Sequence, residues 1–299
     1  MLFFITIAIV DYCFGRAMER LERNSNSSNY HCSYKASEDV LVLGSSFAVR
    51  NVVPQVIEGS LGLTCYNAGE PGVGIVCAWA RLNMFLRNHT PKLVIYTLTP
   101  GSDYLVAEDY SRYLGRVKYY YGIDESVDQL YADFASPAER IKLRSNLFKY
   151  NSGWLTILSN SVSTKQDYKG YKPLYGEMDT KASNNEKATE VAIDSLKLSY
   201  LDRTFALLRE KNVSVICLLT PQYGLELDAE QYKAGIELCS KHNVPVYNDF
   251  MDKDITSDPT LFYDFCHLND KGAKVYTAKI CAYIKRALHT EKDMYRVAE

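Results

Sequence analysis

Neither sign of charge dominates this chain of 299 residues: 34 lysines and arginines face 36 aspartates and glutamates, for a net charge of −2. A nucleic-acid partner, which would call for a strongly basic face, is therefore not expected. Histidine and tryptophan are scarce, with five and two copies. None of the eight cysteines falls into a C-x-x-C pair, so neither a zinc ribbon nor a thioredoxin-type redox site is supported. A P-loop, a dinucleotide fingerprint and a metal-ligand cluster are missing as well, and we expect no metal and no cofactor. No internal repeat is visible.

Long hydrophobic runs are missing too. The opening stretch MLFFITIAIV meets Asp11 after about ten residues, enough helix to cross only about half of a ~30 Å hydrocarbon core. No basic leader precedes it and no small-residue cleavage site follows it, so it does not read as a signal peptide. The expectation is the end of an N-terminal anchor whose earlier, basic part lies outside this sequence, giving membrane association through residues 1–15. The alternative is a packed N-terminal helix. Residues 16–36, polar and rich in Ser and Asn, read as a linker to a folded domain over 37–299. Such an anchor implies an extracytoplasmic place, in the periplasm or cell envelope.

What is present is an ordinary globular composition, 47% hydrophobic and 23% charged, with 24 tyrosines as its unusual feature. Tyrosine suits both half-buried packing and clefts that hold sugars, and packing is the plainer reading. Cys65, Cys77, Cys217 and Cys281 lie in apolar runs and read as small buried hydrophobes, although spacing alone leaves disulfides open.

From Asp39 onward, short apolar runs alternate with helix-like segments. DVLVL (39–43), LTCYNAG (63–69), KLVIYTL (92–98), VSVICLLTP (213–221) and VPVYND (244–249) read as five strands. Pro54 suits the first turn of a helix and Gly62 its exit, and IVCAWARLNMFLRNH (75–89) reads as an amphipathic helix. Alternation of this kind predicts an α/β fold: a mostly parallel five-stranded sheet with helices on both faces, in three layers. Between about 104 and 197 lies an insertion that the pattern does not require. It is rich in tyrosine, with a helix predicted from Pro137 to Val162 and a solvated loop over KASNNEKATE (181–190), and it reads as a lid or wall of the cleft.

The first strand ends at Gly44-Ser45-Ser46. Ligands of parallel sheets bind outside the carboxyl ends of the strands, and a hydroxyl there sits beside unpartnered helix amides. Taken alone, the two serines could simply cap the next helix. Asp264 and His267, three apart before the last helix, supply an imidazole to accept a serine proton and a carboxylate to fix its tautomer. Taken alone, that pair is an ordinary helix-entry turn.

Together, GSS after the first strand, YNAGEPGVG after the second and DFCHL near the C-terminus resemble the SGNH (GDSL-type) hydrolase superfamily. The resemblance covers most of residues 39–288 and implies a flavodoxin-like sheet order. It implies Ser46 as nucleophile, Ser45 in place of the usual aspartate, His267 as base and Asp264 as the acid that orients it. The backbone amides of Ser46 and Gly72 would then form the oxyanion hole. The family's third motif, Gly-x-Asn-Asp, is replaced by TLTPGSDYL (97–105), where Ser102 is the nearest substitute for the asparagine. Arg50 and Asn67 are expected to face substrate, with a solvated arginine as the plainer reading of Arg50. Trp79 and Trp154 read as packing, and Glu70 as a solvated loop carboxylate. The expected activity is serine-dependent hydrolysis or O-acyl transfer on acylated, especially acetylated, carbohydrate of the cell envelope. The alternatives are a lipase or thioesterase for longer acyl chains, and a catalytically silent binding module.

Overall fold

The computed structural model describes residues 1–23, 27–106, 110–151, 153–162, 168–179 and 192–296, with side chains described as far as residue 286. The loop expected over 181–190 lies outside the described residues.

Five strands form one sheet: β1 Val40–Gly44, β2 Cys65–Asn67, β3 Leu93–Thr97, β4 Ser214–Leu219 and β5 Val246–Asn248. Their order is β2-β1-β3-β4-β5, and every neighbouring pair is parallel. All five were legible as apolar runs, and the three-layer expectation holds because successive side chains of a strand face opposite sides. Leu41, Leu43, Val94 and Tyr96 pack on one side with the helices Ile75–Leu86 and Ser195–Glu210. Val40, Val42, Leu93 and Ile95 pack on the other with the helix Pro54–Leu61 and the C-terminal helix that starts at Asp270. From β2 the chain crosses back over β1 to β3, so strand order reverses between β1 and β3, the place where sheets of this kind bind ligands outside the strands' carboxyl ends.

Two local expectations change. The helix predicted over Pro137–Val162 is three short helices, Pro137–Lys142, Asn146–Tyr150 and Trp154–Ser161. Ser145 breaks the first join, its hydroxyl capping the Phe148 amide, while Asp11 accepts from the Asn146 and Leu147 amides and from the Ser145 hydroxyl. Residues 28–34 are a helix rather than a linker: Cys32 is fully buried and Asn29 accepts a hydrogen bond from Arg81, so this segment belongs to the main core. The tyrosines of the insertion mostly pack, with Tyr113, Tyr120, Tyr131 and Tyr150 all buried.

The first helix, Leu2–Arg23, lies against Asn146–Tyr150 and Trp154–Ser161 through its second half, where Gly15, Met18 and Glu22 are buried. Its first nine residues are exposed, and no described helix is long and apolar enough to cross a membrane. All eight cysteines are free thiols.

Candidate active site

β1 ends where only glycine fits. Gly44 has φ +134°, and a Cβ there would overlap Thr97 Oγ1 and lie 2.8 Å from the Thr97 carbonyl. This close approach of β1 to β3 throws the next residues outward into the short helix Ser46–Asn51. The two serines then divide the work. Ser45 is the cap: its hydroxyl accepts from the Phe47 amide and lies 2.7 Å from Thr99 Oγ1. Ser46, the first helical residue, is left free to turn elsewhere, and its Oγ lies 2.8 Å from His267 Nε2.

The histidine arrives on a loop pinned at both ends. Phe262 and Leu268 pair in an antiparallel bridge, and the Leu268 amide donates to the side chain of Asn51 at the end of the serine helix. Inside the loop, Asp264 Oδ1 accepts from the Cys266 and His267 amides at 2.8 and 2.7 Å. His267 Nδ1 lies 2.9 Å from Asp264 Oδ2, so one carboxylate shapes the turn and orients the ring. Partial burial pushes the Asp264 carboxyl up, but the imidazole and the two amides outweigh it and hold it below the ordinary carboxylate range. Phe47 covers the imidazole with ring centroids 5.5 Å apart.

The second motif folds over this turn. The Glu70 amide donates to the Gly44 carbonyl, so the turn closed by Glu70 and Val73 lies across the end of β1. Gly72 within it has φ +67°, and a Cβ there would collide with the Arg112 guanidinium. Among the described residues, the amides of Ser46 and Gly72 have no hydrogen-bond acceptor.

Two expected residues do not face the cleft. Asn67 is fully buried: its amide group donates to the carbonyls of Ala48 and Val52, and its oxygen accepts from Gly69, so it braces the serine helix rather than substrate. Ser102 sits in a single helical turn, Pro100–Asp103, where its hydroxyl bends back to the Thr99 carbonyl and packs on Gly74. Thr99, missed in the sequence, is the residue of TLTPGSDYL that lies beside the serine turn. Its place before Pro100 at a helix start was the available signal. Arg50 is half-buried and donates to the Lys172 carbonyl.

Glu70 is not solvated but 7% exposed, and Arg81 binds it at 2.7 Å. Arg81 is itself buried and spends its other donors on Asn29 and on the Ala68 and Gly69 carbonyls. Asp103 is also fully buried, accepting from Tyr96 and from the Thr99 amide. Burial pushes its carboxyl up to about 7 against those bonds and the pull of Lys197. Among the described residues, no group of three or more His, Cys, Asp or Glu could hold a metal ion.

No family model matches the chain. No curated protein matches it either. Among solved structures it is similar to the acetyl xylan esterase AlAXEase (13% identity, TM-score 0.41, covering 82% of this chain and 98% of that one). It is also similar to a GDSL-like lipase from Bacteroides thetaiotaomicron (12%, 0.40, 83% and 88%) and to the lipase/acylhydrolase from Enterococcus faecalis (12%, 0.40, 83% and 95%). Likeness at this level carries no chemistry; the side chains at the end of β1 do.

Proposed function

We propose that the chain is a serine acyl ester hydrolase or O-acyltransferase of SGNH type. The observation that carries this reading is the hydrogen-bonded series Ser46 Oγ, His267 Nε2, His267 Nδ1 and Asp264. Ser46 attacks the acyl carbonyl carbon while His267 Nε2 takes its proton, and Asp264 stabilises the imidazolium that forms. The carbonyl oxygen gains charge facing the free amides of Ser46 and Gly72, where one well-aimed donor contributes roughly 3 to 4 kcal/mol. His267 returns the proton to the leaving alcohol, and the C–O bond of the substrate breaks to give an acyl-Ser46 ester. Water completes hydrolysis by the same steps in reverse, and a sugar hydroxyl in place of water would complete transfer.

Carbohydrate is the favoured carrier of the acyl group. Tyr263, one residue before Asp264, and Tyr175, next to the Leu174 carbonyl that accepts from Asp270, stay exposed and offer rings on which sugars stack. The exposed apolar end of the first helix supports an envelope location with attachment to a membrane surface.

Labelling with a small fluorophosphonate, with the adduct located by mass spectrometry, tests the chemistry. The expected adduct is on Ser46 and is lost in His267→Ala. A folded protein that takes no label would point to a silent binding module. Rates that climb with acyl length beyond acetyl would favour a lipase or thioesterase.

A further inference from the structure

Cations gather around the serine turn with little to neutralise them. Arg50 lies four residues after Ser46 on the same short helix, hence on the same face, and its guanidinium holds the Lys172 carbonyl. The Lys172 amide in turn donates to the Val49 carbonyl, which fixes this lysine beside the serine helix. Arg112 lies over Gly72, on the loop that carries one of the two free amides. Arg116 Nη1 and Lys172 Nζ reach toward Glu70 but stop at 3.7 and 4.0 Å, because Arg81 already holds that carboxylate. Glu70 is itself two residues from Gly72 and bonded through its amide to Gly44.

One buried carboxylate is therefore shared by three cations, Arg81, Arg116 and Lys172, while Arg50 and Arg112 have no part in it. Among the described residues, the other acids nearby are committed: Asp264 to the His267 ring, Asp103 to Tyr96 and the Thr99 amide, Asp194 to Tyr110 and the Leu196 and Lys197 amides, and Asp270 to Lys274 and Tyr171. No carboxylate among the described residues pairs with Arg112 or with Arg50. The crowding is felt at Lys172, whose ammonium is pushed down by burial, raised by Glu70, and pushed down again by Arg81, Arg50 and Arg116. Like charges assembled at a site oppose one another, and an incoming anion relieves that opposition.

We infer that the acyl ester this site processes carries an anionic group, a carboxylate or a phosphate, and that Arg50, Arg112, Arg116 and Lys172 bind that group beside the reacting carbonyl. The inference rests on the esterase reading for its acyl group and adds the charge of the molecule that bears it. Arginine forks suit carboxylate and phosphate oxygens, and Arg112 is the one best placed to hold them close to Gly72.

The test compares kcat/KM for O-acetylated galacturonate oligomers, O-acetylated xylo-oligosaccharides and an O-acetylated glycerol phosphate. In parallel, calorimetry follows binding of the same three probes to the Ser46→Ala protein. The expected result is Ser46-dependent turnover that favours an anionic probe, with an advantage that shrinks as salt rises from about 0.05 to about 0.5 M. The anionic-to-neutral ratio should fall roughly tenfold in Arg112→Gln and recover in part in Arg112→Lys. The two anionic probes distinguish carboxylate from phosphate. Ser46-dependent turnover with no preference for charge overturns the inference and leaves the esterase reading standing. Salt-sensitive, Arg112-dependent binding of an anionic probe without Ser46-dependent turnover keeps the anion site and overturns the esterase reading. Neither binding nor turnover overturns both.

Discussion

Asp264 holds its own loop and the His267 ring with one carboxylate, so its replacements separate two jobs. Asp264→Asn keeps an oxygen for the Cys266 and His267 amides but no longer fixes the imidazole tautomer. We expect kcat for ester hydrolysis to fall by roughly 10³-fold or more with the thermal midpoint little changed, and a loss below about tenfold would remove Asp264 from the mechanism. Because the folded carboxyl ionises more readily than an unfolded one, its stabilising contribution is complete above the ordinary aspartate range. That contribution is lost as pH falls through its lowered native value. Gly44 is the other informative single position. Gly44→Ala forces a Cβ into Thr97 at φ +134°, and we expect it to cost roughly 2 to 4 kcal/mol in urea unfolding. A neutral result would mean that β1 and β3 can separate without loss. At this scale the sequence pointed to Ser46, His267 and Asp264, which the structure brings within hydrogen-bond distance of one another, because each lies in a short local pattern with a chemical reason. It concealed Thr99, Arg112 and Lys172, because what matters about them is which distant backbone they touch.

Elements were legible in proportion to how local their cause is. The five strands are continuous apolar runs, and each reads as a strand wherever it sits. The helix predicted across 137–162 failed in part because its first interruption is held by Asp11, more than 130 residues away in sequence, and no window over the segment contains it. The loops over the sheet are held by buried charge, which composition cannot locate. Asp103 ties the third-strand loop together, and its raised pKa carries a sign. Between the unfolded value near 3.8 and the folded value of about 7 the unfolded chain binds fewer protons, so stability declines as pH rises through that window and is flat above it. Urea unfolding of wild type and Asp103→Asn at about pH 5 and about pH 8 reads this directly. Wild type should lose on the order of 2 kcal/mol more than the variant across that interval, and parallel losses would mean that Asp103 stays ionised throughout. Glu70→Gln leaves Arg81 buried without its counter-charge, and we expect a loss of roughly 3 to 5 kcal/mol. A loss under about 1 kcal/mol would show that water reaches the pair.

For the molecule as a whole, the first helix bears on two expectations, a packed helix and a membrane anchor, and the structure speaks only to the first. Its second half packs on the insertion, while Leu2, Phe3, Phe4, Ile5, Ile7, Ile9 and Val10 stay in the open. Replacing Phe3 and Phe4 by serine should leave the thermal midpoint within about 2 °C, since neither ring touches the core. The same pair of changes should weaken sedimentation with lipid vesicles, and unchanged sedimentation would remove this helix as the contact. The attachment is not a loose tether. Asp11 caps the helix Asn146–Tyr150, Phe14 meets Tyr150 edge to face, and Tyr150 stacks on Tyr119 at 5.0 Å, three residues after Arg116. The first helix is thus joined through Tyr150 and Tyr119 to the segment that carries Arg112 and Arg116. Were the exposed end to rest on a lipid surface, as proposed, these contacts would hold the segment bearing Arg112 and Arg116 at a set height above it, so that the reach of the site would be counted from the bilayer.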